Sequence, residues 1–191
     1  MQLIELIKKN RSYRRFDANF KIVEKDLVHF IEHARLSASA RNQQSLKYIL
    51  VLSENKKNEL FPTLKWAGYL KDWDGPAVHQ RPSAYIIVCN DTSIASNHFC
   101  DEGIAMQSIL LAAAEKELGG CIIAAFDKNA VRNMFEIPTN FDILNVLAIG
   151  KPDETVVIDK LAGDNVEYYR DGDNIHHVPK RGITEIIHKT H

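Results

Sequence analysis

With 191 residues, 45% hydrophobic and 26% charged, the chain has the length of one ordinary domain and enough apolar material for a substantial core, which excludes a disordered segment. Its 24 Lys and Arg against 25 Asp and Glu leave a formal charge of −1, so no global field draws it to nucleic acid or to an anionic membrane, and any anion must be held by a local cluster. Cys89, Cys100 and Cys121 are widely spaced and form no C-x-x-C pair, which argues against a zinc or dithiol centre and for a reducing compartment.

Leu3, Ile4 and Ile7 recur at helical spacing. Residues 1–10 lack the basic start and apolar run of a signal peptide, so a cytoplasmic location is expected. Leu27, Phe30, Ile31 and Ala34 predict a second amphipathic helix, and the two helices flank residues 11–19. Residues 47–53 (KYILVLS) read as a strand leading into a helix from about Asn55. Residues 84–90 form a second strand, continuously apolar and therefore expected to be covered on both faces. A long helix over about 96–118 follows. Its most apolar stretch, 103–114, is interrupted by Gln107 and Ser108 and falls short of the roughly 20 residues that a membrane span needs. It is expected to be buried in protein.

Gly119 and Gly120 are expected to stop that helix, residues 121–126 form a third strand, and Asp127 is placed to cap a helix that ends before Pro138. Residues 143–149 form a fourth strand. After Pro152 the chain is poor in apolar runs, with a D-G-D-N turn at 171–174 and a short final helix after Gly182. Such a tail cannot build a core alone and is expected to wrap across the body or across a partner subunit. The organisation is one α+β domain over 1–191, with a body at 1–152 and a C-terminal arm at 153–191.

Three clusters could carry chemistry. Arg11, Arg14 and Arg15, with Ser12 among them and Phe16 behind, put three guanidiniums within five residues, a multidentate arrangement suited to phosphate. Alone, such a run is more often a solvated charged face. Ser37, Ser39, Arg41, Asn42, Gln43, Gln44 and Ser45 lie between a helix and a strand, and their amides and hydroxyls can read the edge of a heteroaromatic ring without adding charge. An ordinary polar loop has the same composition. Lys180 and Arg181, after Pro179, could close over a phosphate or simply solubilise the tail.

In this order and spacing the clusters resemble the nitroreductase family, whose R-R-S-x-R-x-F is matched by Arg11, Ser12, Arg14 and Phe16, with Asn10 in place of the first arginine. Ser39, Asn42 and Gln44 match its S-x-x-N-x-Q loop, where Ser45 and Leu46 replace Pro-Trp. Asp101, Gly103 and Ala105 are similar to its D-x-G-x-A helix, the run 118–126 to its L-G-x-x-W-I-G strand, and 147–152 to its L-x-L-G-x-P. The resemblance implies a central, mostly antiparallel sheet flanked by helices, and a homodimer with exchanged C-terminal arms and FMN at the interface. It also implies a ping-pong oxidoreductase that passes electrons from NADH or NADPH to a small organic acceptor such as a nitroaromatic or quinone.

By that likeness Arg11, Ser12, Arg14 and Arg181 hold the phosphate and ribityl end, and Ser39, Asn42 and Gln44 arrive from the other subunit. The backbone of Ile123, Ala124 and Ala125 faces the flavin N5. Arg15 or Lys180 is the cation available to cover the Asn10 departure. No side-chain acid or base is required, because the flavin carries the chemistry.

Other readings are weaker. His29 and His33 give H-x-x-x-H on a helix, but Glu32 is not in the second position of H-E-x-x-H and no third ligand is indicated, so no metal is expected. The sequence holds no G-x-S-x-G elbow, Walker loop or G-x-G-x-x-G. A non-catalytic flavin-binding, storage or sensing protein would need the same phosphate clamp. A nucleic-acid contact is disfavoured by the near-neutral charge.

Overall fold

The computed structural model describes residues 2–191. Helices α1 (Leu3–Lys9) and α2 (Glu24–Arg35) stand on either side of an irregular segment, 10–23. Leu27, Phe30 and Ala34 on α2 follow helical spacing and are buried, while the opposite face carries charge. None of α1 is buried, and Leu3 and Ile4 are 66% and 53% exposed.

Four strands form one antiparallel sheet in the order β1-β2-β4-β3: β1 (Leu46–Val51), β2 (Ala84–Asp91), β3 (Gly119–Ile123) and β4 (Phe141–Gly150). Alternation along the strands sends side chains to two faces. Ala84, Ile86, Val88, Leu147 and Ile149 pack with α2 and with α4 (Asp101–Glu115). Tyr85, Ile87, Cys89, Cys121, Val146 and Ala148 pack with Leu60 of α3 (Glu54–Leu60), Val131 of α5 (Lys128–Met134) and Leu64 and Trp66 of the intervening segment. Every residue of β2 is buried, as its unbroken apolar run requires of a strand covered on both sides.

The long helix is shorter than expected at both ends. Its start is delayed because side chains satisfy the preceding backbone in turns: Asn90 Nδ2 donates to Ala95 O at 2.8 Å, and Asn97 Oδ1 accepts from Phe99 N at 2.7 Å. Its end is a Schellman closure with Glu117 at φ 60°, Leu118 N donating to Ala113 O at 2.9 Å and Glu117 N to Ala114 O at 3.2 Å. Gly119 and Gly120 therefore do not stop the helix. They belong to β3, where a Cβ on Gly120 would collide with Ala148 O and one on Gly119 with the Tyr13 ring.

The tail also differs from an extended arm. Residues 156–180 build a three-stranded sheet in the order β5-β7-β6, from β5 (Val156–Lys160), β6 (Tyr169–Arg170) and β7 (His176–Lys180), with β5 parallel and β6 antiparallel to β7. The β6–β7 turn is fixed by Asp171 Oδ1, which accepts from Asp173 N at 3.0 Å and Ile175 N at 2.8 Å. Polar anchors do what an apolar core cannot here: Asp153 N donates to Arg15 O at 2.9 Å, and the buried Glu154 and His176 hold the small sheet on the body. The last segment, with α6 (Ile183–Ile186), leaves Ile183, Ile186 and Ile187 exposed, as the small sheet leaves Ile158 and Tyr169.

Candidate functional site

Residues 10–16 leave α1 and run along the outer edge of β3. Tyr13 N donates to Gly120 O at 3.0 Å, Ser12 bridges Gly120 in parallel fashion, and Phe16, fully buried, packs against Gly150. These contacts leave Arg11, Ser12 and Arg14 lining a cavity of about 290 Å³. Gln107 and Leu110 of α4, Asn10, Ile122 of β3, and Tyr168, His176, Val178 and Lys180 of the tail complete the lining. Three cations and no carboxylate line this space, which makes it an anion site by composition.

Arg14 is the most constrained of the three. Its guanidinium donates to Ser12 O at 3.2 Å, meets His176 Nε2 at 3.3 Å and lies 4.7 Å from the Tyr168 ring centroid. A guanidinium only donates, so His176 Nε2 accepts and its proton sits on Nδ1, which is buried without a partner. Burial, then the Arg14, Arg170, His177 and Arg15 charges, push the His176 imidazole down to about 4, so it is neutral at pH 7. Arg11 donates from its guanidinium to Ile7 O at 2.8 Å, while its Nε is buried with no partner.

Gly120 O is taken by Tyr13 on the outer edge of β3. Antiparallel alternation then turns the backbone of Ile122 to that same open edge, beside the cavity. Ile123 is buried, and Ala124 and Ala125 are exposed just beyond the strand, with Ala125 O accepting from Lys65 N at 2.9 Å.

Ser39, Asn42 and Gln44 lie elsewhere in the chain. Their loop, between α2 and β1, holds Arg41, Asn42 and Gln44 at φ 53°, 55° and 52°, a conformation costly for residues with a Cβ. Asp101, the first residue of α4, fastens it: Ser39 Oγ donates to Asp101 Oδ2 at 2.6 Å, Ala40 N to Oδ1 at 2.9 Å, and Gln44 N to Ser39 Oγ at 2.9 Å. Ser39 and Gln44 line a separate cavity of about 290 Å³ with Tyr48 and Asp101. Burial, then the Asp101 charge, pushes the Tyr48 phenol up to about 12. One chain thus brings Arg11, Ser12, Arg14 and Lys180 together but not Ser39, Asn42 and Gln44 with them. Arg181 is exposed outside the arginine cavity. Arg15 turns away from it, donating to Asn174 Oδ1 at 3.3 Å and lying 5.8 Å from the Trp73 ring.

Residues 7–151 match the nitroreductase family. The chain belongs to that family. A protein of Archaeoglobus fulgidus carrying the name NADH dehydrogenase/NAD(P)H nitroreductase is 23% identical over 159 residues, 79% of this chain and 86% of its relative. Two solved structures share the nitroreductase fold. One is an FMN-dependent nitroreductase of Clostridium difficile R20291, with TM-score 0.70, 22% identity and 99% of each chain covered. The other is an NADPH:FMN oxidoreductase of Vibrio harveyi complexed with NAD+, with TM-score 0.66, 23% identity, and 88% of this chain and 76% of that chain covered.

Within this nitroreductase, sequence reasoning did not single out Tyr168, His176 or Ile122 as lining residues. Gln107 did leave a signal: with Ser108 it interrupts the apolar stretch of α4, and it is exposed and lines the cavity. Among the described residues no group of three or more His, Cys, Asp or Glu is placed to hold a metal ion. No helix among them is long and apolar enough to cross a membrane.

Proposed function

We propose that this nitroreductase is an FMN-dependent oxidoreductase that takes electrons from NADH or NADPH and delivers them to a small organic acceptor, a nitroaromatic or quinone, by a ping-pong cycle. The observation that carries this reading is the cavity lined by Arg11, Arg14 and Lys180 without a carboxylate. The residues present fit a phosphate-bearing cofactor. Arg11 Nε is a buried donor without a partner, Ser12, Asn10 and Gln107 are neutral hydrogen-bonding groups, and the neutral His176 adds no charge beyond the three cations. FMN, when bound, supplies the hydride acceptance and donation. Arg11, Ser12 and Arg14 bind the phosphate end, with Lys180 as the cation that stands in for the family arginine replaced by Asn10. Leu110, Ile122 and Val178 exclude water along the apolar wall, and the backbone edge that runs from Ile122 past Ile123 to Ala124 and Ala125 offers amides to a ring placed beside it. Names borne by the relatives, FMN-dependent nitroreductase and NADPH:FMN oxidoreductase, support the same reading.

The working unit in this proposal is a homodimer. Ser39, Asn42 and Gln44, in a strained loop held by Asp101, reach the cofactor from the second subunit, because a single chain leaves Ser39 and Gln44 at a different cavity and Asn42 outside the arginine cavity. Leu3 and Ile4 of α1, Ile104 of α4 and the terminal Ile183, Ile186 and Ile187 are exposed apolar side chains for a second copy to cover, with Arg181 brought in by the terminal segment.

Purified protein should be yellow, and addition of NADH or NADPH should bleach it anaerobically. Steady-state rates against a quinone acceptor should give parallel double-reciprocal lines. A colourless protein with no affinity for FMN overturns the reading, and a yellow protein that is bleached by neither nicotinamide reduces it to flavin binding.

A further inference from the structure

We propose that Glu154 is a positioning residue of the anion clamp: through two backbone amides it fixes the stretch from which the Arg14 guanidinium is aimed into the cavity. This rests on the reading of that cavity as a phosphate site. The Glu154 side chain is 2% exposed, at the point where the tail leaves Pro152. Its Oε1 accepts from Arg14 N and from Arg15 N, the latter at 3.1 Å, and its Oε2 accepts from Arg170 Nη2 at 3.1 Å. Arg170 in turn lies 4.3 Å from the Trp73 ring centroid.

A buried carboxylate persists only where donors replace its lost water, and here two of the three are backbone N–H groups of the arginine motif itself. The adjoining backbone joins the same clasp, with Asp153 N donating to Arg15 O at 2.9 Å and Phe16 bridging Pro152. The Arg14 backbone is therefore fixed from the tail side, and its side chain from the cavity side by Ser12 O, His176 Nε2 and the Tyr168 ring. With both ends fixed, little rotamer freedom remains to be lost when an anion arrives. Glu154 points at amides and not into the cavity, so it touches no ligand.

Three roles for this carboxylate predict different signs. As a mere negative charge beside an anion site, it opposes phosphate, and its removal tightens FMN. As a mere fastener of the tail, it supports any flavin, and its removal weakens FMN and riboflavin alike. As a positioning residue for Arg14, it supports only the ligand that carries phosphate.

Dissociation constants of FMN and riboflavin, read by flavin fluorescence on flavin-stripped full-length protein, separate these. Glu154→Ala should weaken FMN about tenfold, the scale of one charge-assisted hydrogen bond, and leave riboflavin within about threefold of wild type. Glu154→Asp keeps the charge but is one methylene too short to hold both the amides and Arg170, so it should weaken FMN selectively as well; it carries the test if the alanine variant does not fold. Glu154→Gln keeps a carbonyl for the two amides and should stay within about threefold of wild type for FMN, although its NH2 then faces Arg170. FMN bound as tightly or more tightly by the Ala and Asp variants, or both flavins weakened equally, overturns the inference. Arg14→Ala is the control. If it weakens FMN selectively and the Ala and Asp variants do not, positioning by Glu154 fails alone; if it does not discriminate, the phosphate reading fails and this inference with it.

Discussion

A guanidinium that faces an anion across a half-buried cavity contributes a charge-assisted hydrogen bond worth roughly 1.5–3 kcal/mol, about ten- to hundredfold in affinity. Arg11→Ala and Arg14→Ala should each weaken FMN by that factor and leave riboflavin nearly unchanged, as titration with the two flavins measures; equal weakening of both contradicts a phosphate site. His176 gives the residue scale a pH signature. Its imidazole sits at about 4 in the folded chain against an ordinary value near 6.5. The unfolded chain therefore takes a proton where the folded chain does not, and the stability this group contributes is complete above about 6.5 and is lost as pH falls towards 4. The neighbouring His177 works the other way. Its hydrogen bonds to Asp171 and Asp159 raise its pKa, so its contribution is present at low pH and fades as pH rises through the raised value. Urea midpoints at pH 7 and pH 5 should fall further for wild type than for His176→Gln, and equal falls contradict the assignment. Arg11, Ser12 and Arg14 were legible in the sequence because charge density is local. Tyr168 and His176 were not, because their place depends on how β7 pairs with β5 and β6, a register that the tail's sparse apolar pattern does not encode.

At the scale of elements, the four sheet strands were readable from their β-branched and aromatic runs, and β2 from its unbroken apolar stretch. Helix ends were harder, for a physical reason. Asn90, Asn97 and Glu117 set the limits of α4 through side-chain hydrogen bonds and a left-handed residue, not through the expected glycine pair. The start of α5 did follow from sequence: Asp127 Oδ1 accepts from Asn129 N and Ala130 N, both at 3.0 Å. α5 buries only Val131, so its cap carries a large share of its stability. Asp127→Ala should cost about 1 kcal/mol, seen as a lower denaturation midpoint. FMN affinity should not move, because Asp127 is absent from both cavities described. An unchanged midpoint contradicts the capping role.

The whole molecule poses the question that one chain leaves open by its geometry: the arginine motif and the Ser39 loop line different cavities within a subunit. The tail was expected to wrap across the body or across a partner subunit; 156–180 form a three-stranded sheet, and the terminal segment beyond it is exposed. Deleting residues 182–191 removes the exposed Ile183, Ile186 and Ile187 and spares that sheet. It should weaken self-association without altering the circular dichroism of the body, and an unaffected association contradicts a role for this segment. The central claim, that the cofactor site is completed by a second copy, is tested most directly by sedimentation velocity of full-length protein, with absorbance followed at both the protein and the flavin bands. The account predicts one boundary with the mass of two chains, carrying flavin at one per chain. A boundary with the mass of one chain that carries stoichiometric flavin would contradict it.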